Sequence, residues 1–301
     1  MIDVPCTVLM IHDGASRYSD IARRQAKMAG FEIVELNDLA KFVDDDWLHF
    51  ERHYKHTSVN SLSFEKACFK RYFRAKEYTR RTGVDEFVMI DTDLMLFPSA
   101  LSAGNSMFSR MRAEGRLAGV SVCVSPEDYW HASPHCSFWT SRGVNDFVDY
   151  VKHLVEDEAA FSAMEESARV RSNYPGFSDM VALGGWMKEN NRVFNILTSI
   201  SDGLWDHNVT LGCQNERKFL NVFGSKLLTS RAGQPCVFEF GERSANRVNV
   251  HSLHMQGRAK VAMRSVERGQ LMVANVLLMA LGFLKFSRQT WRNVARAVPQ
   301  K

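Results

Sequence analysis

The chain has 301 residues, 45% hydrophobic and 24% charged, with seven prolines. That is the balance of a soluble globular protein with room for a substantial core, and it excludes extended disorder. The net charge of +4 is unevenly spread: Arg258 to Lys301 holds nine Lys/Arg against Glu267, so this tail stands at +8 and the rest at −4. A basic tail on an acidic body argues against nucleic acid as a partner.

The six cysteines (Cys6, Cys68, Cys123, Cys136, Cys213, Cys236) form no C-x-x-C pair. They sit mostly in apolar runs and read as buried free thiols of a reducing compartment. The N-terminus lacks the basic region and cleavage site of a signal peptide, and no stretch reaches the roughly 18 apolar residues of a membrane span. A cytoplasmic location is therefore expected.

In chain order, Thr7 to His12 predicts a first strand and Arg17 to Gly30 a helix with Gly30 at its C-cap. Phe31 to Leu36 predicts a second strand, which makes a βαβ unit and hence a parallel sheet. Asp44 to His56, with three successive acids, is expected to loop over the surface. Ser61 to Thr82 has apolar residues at three- and four-residue intervals and predicts a long helix packed on the sheet. Phe87 to Ile90 is a short apolar run expected as a buried strand. Further on, Pro98–Glu114, Val144–Leu154, the charged 156–173 stretch and Phe177–Glu189 predict helices. Leu117–Val124, the segment after the Ser133 turn, Cys236–Phe240 and Arg247–Leu253 predict strands, and Asp206-His207-Asn208 a polar loop.

The third strand ends in Asp91-Thr92-Asp93 and is followed at once by the apolar Leu94-Met95-Leu96-Phe97. Two carboxylates between segments that favour burial are costly to desolvate, and such acids are normally paired, protonated or bound to a cation. One reading is a Mg²⁺ or Mn²⁺ site holding a substrate's phosphates at the C-terminal edge of the sheet. The other is a strand end with two solvated acids. The late strand runs into His254-x-x-Gly257-x-x-Lys260. There an imidazole can ligate the cation, glycine can let backbone approach a diphosphate, and lysine can neutralise its charge. A loop with a chance histidine and lysine is the alternative.

Together, D-x-D and H-x-x-G-x-x-K about 160 residues later resemble the GT-A-fold glycosyltransferases. The likeness is to the retaining family of glycogenin and the bacterial lipopolysaccharide galactosyl- and glucosyltransferases. The usual Pro-Trp continuation is replaced here by Val261-Ala262. A looser likeness, to uncharacterised bacterial surface-polysaccharide glycosyltransferases, covers most of the first 260 residues. It rests on FEKACFKRYFRAKEY, Ser-Pro-His-Cys-Ser-Phe-Trp, Phe-Ser-Asp179-Met and Asp206-His-Asn.

The resemblance implies an α/β fold of GT-A (Rossmann-like) type: a mixed, mostly parallel sheet flanked by helices, with a C-terminal helical tail. It implies a catalytic domain over 1–260 and a basic amphipathic tail over 261–301. It also implies metal ligands Asp91, Asp93 and His254 for Mn²⁺ (or Mg²⁺), with Asp91, Gly257 and Lys260 against the diphosphate of a nucleotide sugar, a UDP-sugar first. The acceptor would be a glycan or a lipid-linked sugar of capsule or lipopolysaccharide synthesis.

For an inverting reaction a carboxylate must deprotonate the acceptor. Asp179 is the candidate, its alternative role being to cap the following helix beside Ser178. His12 and Asp38 are candidates to flank the nucleobase and ribose, or are ordinary strand-ending turn residues. Arg71 is a candidate to reach the nucleotide, or bridges to a surface acid. His135 and Trp139 either line the sugar pocket or belong to the core.

In the tail, Gln270–Phe286 is nearly all apolar and is expected to pack back on the domain. The last fifteen residues set Trp291, Val294 and Ala295 opposite Arg288, Arg292 and Arg296, a pattern suited to an anionic inner-membrane surface. Two other functions compete. One is a non-catalytic transferase-like scaffold. The other is a haloacid-dehalogenase-like phosphatase, whose motif usually lies on the first strand and has Thr or Val where Met95 stands here.

Overall fold

The structure, a computed structural model, describes residues 7–11, 16–35, 45–122, 132–171, 176–197, 203–210, 219–240 and 245–297. For 285–297 it describes the backbone path only. The first half holds β1 (Thr7–Ile11), α1 (Arg17–Met28), β2 (Glu32–Glu35), α2 (Asp45–His53), α3 (Leu62–Thr82), β3 (Glu86–Asp91), β4 (Leu94–Leu96), α4 (Ser99–Glu114) and β5 (Ala118–Ser121). Next come β6 (Ser133–Thr140), α5 (Ser141–Glu156), α6 (Glu158–Arg171), α7 (Asp179–Glu189), β7 (Val193–Asn195) and β8 (Leu204–Trp205). The chain continues through β9 (Asn221–Val222), β10 (Ser225–Lys226), β11 (Leu228–Arg231), β12 (Gln234–Phe240) and β13 (Ala245–His254). A 3-10 turn (Gly257–Ala262), α8 (Met263–Glu267) and α9 (Leu271–Ala297) close it.

Six strands form the central sheet in the order β2-β1-β3-β6-β5-β7. β1 runs parallel to β2 and β3, β5 parallel to β7, and β6 alone is reversed between β3 and β5. This is the mixed, mostly parallel α/β architecture expected from the sequence. Successive side chains of a strand face opposite sides of a sheet, and the two faces here bury different cores. Leu9, Phe87, Met89 and Trp139 pack under α2, α3, α5 and α7. Val8, Met10, Val88, Ile90, Cys136 and Phe138 pack with α1, α4 and the second sheet. Burial on both faces explains the continuous apolar run of β3, which lacks the alternation of a half-exposed strand.

The second sheet has the order β11-β12-β13-β4, with β8 also on β13. The chain passes from one sheet to the other within the turn Asp91–Asp93, because β3 belongs to the first and β4 to the second.

One expected loop is a helix. α2 occupies most of 44–56, and its core face is Trp47 and Phe50, three residues apart, set against Phe69 and Phe73 of α3. The acids that made this stretch look like a loop, Asp45 and Asp46, lie in the first turn, where the helix dipole favours negative charge. The segment from Ser133 is strand throughout, with no turn of its own before it pairs with β3.

α9 lies on the second sheet through Leu271, Ala274 and Leu278, which are buried in the same core as β4 and β13. Asn275 exchanges two hydrogen bonds with the Leu228 backbone, at 2.9 and 2.8 Å. Met272, Val273, Val276, Phe283 and Leu284 are exposed. Among the described residues no helix is long and apolar enough to cross a membrane. Cys68, Cys136 and Cys236 are free thiols, all buried.

Candidate functional site

β1 and β3 end side by side, with Ile11 opposite Asp91. The turn that follows carries Asp93, and the three residues of β4 then pair antiparallel with the end of β13. In that register Leu94 faces His254, Met95 faces Leu253 and Leu96 faces Ser252. The Met255 N–H donates to the Asp93 carbonyl at 2.9 Å, which extends the ladder by one step. A short β-ladder thus brings together a histidine and two acids far apart in sequence. Ligand atoms of Asp91, Asp93 and His254 all lie within 4.8 Å of one another.

Gly257 adopts φ +60°, a left-handed conformation that glycine takes without strain. It opens the 3-10 turn that returns Lys260 over the site, and nothing lies within 4 Å of the position a Cβ would take. Lys260 Nζ is 3.1 Å from Asp93 Oδ2, and His254 Nε2 is 3.5 Å from Asp93 Oδ1. Burial alone would raise the Asp93 carboxyl, but His254 and Lys260 outweigh it and hold it well below the usual range. His254, although buried, is raised above the usual imidazole value, chiefly by Asp93. The side chains of Asp91 and Lys260 are 31% and 32% exposed, against 11% for Asp93 and 6% for His254. The cluster therefore opens on the Asp91–Lys260 side.

His254 is oriented from behind by residues of the loop after β8. Its Nδ1 donates to the His207 carbonyl at 2.6 Å, and its backbone N–H donates to Asp206 Oδ2 at 3.0 Å. The carbonyl can only accept, so Nδ1 carries the proton and Nε2 is the atom turned to Asp93. Asp206 is in turn held by Lys226 of β10, which also donates to the Asn208 carbonyl at 3.0 Å.

The His135 ring stacks on His254 with centroids 4.1 Å apart and planes 6° from parallel. It donates from Nε2 to the Asp206 carbonyl at 3.0 Å and accepts at Nδ1 from Ser133 Oγ at 2.7 Å. Burial, then the neighbouring His254 and His207, push its pKa well below the ordinary value, so His135 is a neutral support.

A second group adjoins the acids. Arg71 of α3 is buried, with Nη1 2.8 Å from Asp91 Oδ1 and Nη2 3.5 Å from Asp179 Oδ2. Tyr72 Oη donates to the same Asp179 oxygen at 3.4 Å. Burial raises the Asp179 carboxyl to about 6, against the pull of Arg71. The cap of α7 is Ser178, whose side chain accepts from the Val181 N–H at 3.3 Å. Asp179 is the first helical residue and is turned inward to Arg71.

The structure thus gathers Asp91, Asp93, His254 and Lys260, with Gly257 in the turn between the last two, and sets Arg71 and Asp179 beside Asp91. His12 and Asp38 lie outside the described residues. Trp139 is core: fully buried, stacked on Trp186 at 5.7 Å, with Nε1 donating to Ser137 Oγ at 2.8 Å. Sequence reading did not single out Asp206, His207 and Lys226 as supports of the histidine. The signal available was the polar Asp-His-Asn triple placed directly after an apolar strand.

Two carboxylates and an imidazole, with a cationic side chain alongside, fit a divalent ion with hard or borderline ligand preference. The donor set is incomplete for such an ion, which leaves positions for a ligand's oxygens.

No protein-family model matches the sequence, and no curated protein matches it. Among solved structures the chain is similar to mouse xyloside xylosyltransferase 1 in its apo form. The identity is 10%, with 64% of this chain and 84% of that one covered, at a TM-score of 0.42. It is also similar to a glycosyltransferase involved in the glycosylation of the major capsid of PBCV-1, at 14% identity, 52% and 69% coverage and a TM-score of 0.32. Likenesses this distant carry no functional weight.

Proposed function

We propose that the chain is a metal-dependent glycosyltransferase that moves a sugar from a nucleoside-diphosphate donor, UDP-linked in the first instance. The observation that carries this reading is the convergence of Asp91, Asp93 and His254 within 4.8 Å at the C-terminal edge of the sheet. A bound Mn²⁺ or Mg²⁺ would supply Lewis-acid neutralisation of the departing diphosphate. The protein's own residues do the rest. Lys260, already 3.1 Å from Asp93 at the open side, adds a second positive charge for phosphate oxygens. Gly257 leaves open space beside the backbone there.

Arg71 fixes Asp91 from the buried side and holds Asp179 at the same time. With a pKa raised to about 6, Asp179 is suited to exchange a proton near neutrality. In an inverting transfer it is the group assigned to take the acceptor's proton, and in a retaining one it positions the sugar. His12 and Asp38 are assigned to the base and ribose side.

The catalytic unit is assigned to 1–260 and the basic tail to 261–301. We place the protein on the cytoplasmic face of a bacterial membrane, acting on a glycan or lipid-linked acceptor of surface polysaccharide. Three observations support this: the segments that resemble surface-polysaccharide transferases, the free thiols, and the exposed apolar residues of α9 leading into the basic terminus.

The test is slow hydrolytic release of nucleoside diphosphate from a panel of nucleotide sugars with Mn²⁺. Release from one donor, abolished by chelator and by Asp93→Ala, supports the enzyme. If no donor is hydrolysed and no nucleotide stabilises the chain with Mn²⁺, the scaffold reading replaces it.

A further inference from the structure

Among the described residues a second group of side chains is placed to share a metal ion: His49 and His53 of α2 with Glu156 of α5. It has no residue or secondary-structure element in common with the site at Asp91. The two histidines are four residues apart, so they project from one face of the helix on successive turns. Their rings lie 4.6 Å apart. Glu156 ends α5 on the facing side, and its Oε1 contacts His49 Nε2. Ligand atoms of all three residues fall within 4.8 Å of one another, and all three are accessible to solvent.

One hydrogen bond already favours ligation. His53 Nδ1 is 2.9 Å from the His49 carbonyl, an acceptor only, so the proton sits on Nδ1 and the Nε2 lone pair is left for a cation. His49 Nε2 and Glu156 Oε1 are already in contact, so a cation would take the place of the proton they share. Two lysines close to these residues in sequence are engaged elsewhere. Lys55 is 2.9 Å from Glu158, and Lys152 pairs with Asp46.

We propose that His49, His53 and Glu156 form a second divalent-cation site, of zinc type, which clips α2 to α5. Two imidazoles and one carboxylate with a position open to water match zinc, and differ from the oxygen-rich sets that suit Mg²⁺ or Ca²⁺. The clip has structural sense. α2 has nine residues, too few to be stable as an isolated helix, and it is held on its inner face by Trp47 and Phe50. A cation at His49 and His53 would secure its outer face to a helix that packs against the central sheet.

The experiment titrates Zn²⁺ into the metal-stripped full chain carrying Asp93→Asn, so that the first site contributes as little as possible. The same chain with His49→Gln and His53→Gln added is the control. His49, His53 and Glu156 are solvent-accessible, so replacing them is expected to leave the fold of the Asp93→Asn parent unchanged. We expect one more equivalent bound in the parent, at an affinity at least about 100-fold above what the control retains. We also expect Zn²⁺ to slow amide exchange across 45–53 in the parent only. Equal stoichiometry and affinity in the two chains would overturn the site. Glu156→Gln separates a clip from a bare histidine pair: a loss of affinity of about tenfold or more supports the bridge to α5. Unchanged affinity overturns it.

Discussion

The cluster at the end of β3 and the cluster on α2 and α5 draw on the same donor types, but the fold holds them in opposite ways. Asp93 and His254 are buried and fixed by a β-ladder, and each is pinned further, by Lys260 or by the His207 carbonyl. His49, His53 and Glu156 are in contact with water and owe their approach only to two helices lying side by side. Buried charge must be partnered continuously, whereas exposed charge is satisfied by solvent. The inner cluster is therefore bound up with stability and the outer one is not.

Substitutions can break this contrast at four points. The largest effect is expected for Asp93→Ala in the donor-hydrolysis assay. If Asp93 is a cation ligand as proposed, its loss should lower turnover on the order of 10³-fold, about 4 kcal/mol of transition-state stabilisation, and remove stabilisation by Mn²⁺. Next is Lys226→Met, which leaves Asp206 buried without its ammonium partner behind His254. Chemical denaturation should report a loss of about 3 kcal/mol. A near-neutral result would mean that His254 does not depend on this buried pair.

The third concerns pH. The folded Asp179 carboxyl is raised to about 6, above the ordinary unfolded value of about 3.9. Its favourable protonation is fully present below about pH 4 and is lost as pH rises through about 6. Wild type should therefore gain on the order of 2–3 kcal/mol between pH 7 and pH 4 relative to Asp179→Asn. Parallel denaturation curves at the two pH values check this, and identical pH profiles would show that Asp179 is already neutralised by Arg71. The smallest effect belongs to His49→Gln with His53→Gln in metal-free buffer, where stability should change by less than about 0.5 kcal/mol. A larger loss would mean that the outer cluster also carries the fold.

Much of the inner site was legible because its chemistry is concentrated. Asp91 and Asp93 interrupt an apolar run, and His254, Gly257 and Lys260 recur at three-residue spacing at the end of a strand. Two strands running into polar groups mark a ligand edge even before their pairing is known. The supports of His254 were legible only as a polar triple, not as its partners. Asp206, His207 and Lys226 act only through the register of β8, β10 and β13, and sequence spacing does not carry that register. The same holds for Arg71, whose position on α3 fixes its face but not its two carboxylate partners. α2 was missed because three acids outweighed the Trp47–Phe50 face, which becomes apolar surface only once α3 is beside it. The two-residue strands β8, β9 and β10 are too short to leave any periodicity.

The turn from Asp91 to Asp93 is also the point where the chain leaves one sheet and enters the other. Asp91 ends a strand of the first sheet, while Asp93 and His254 are anchored in the second. A cation held by all three would act as a rivet through a seam, and its affinity would measure how firmly the two layers are pressed together.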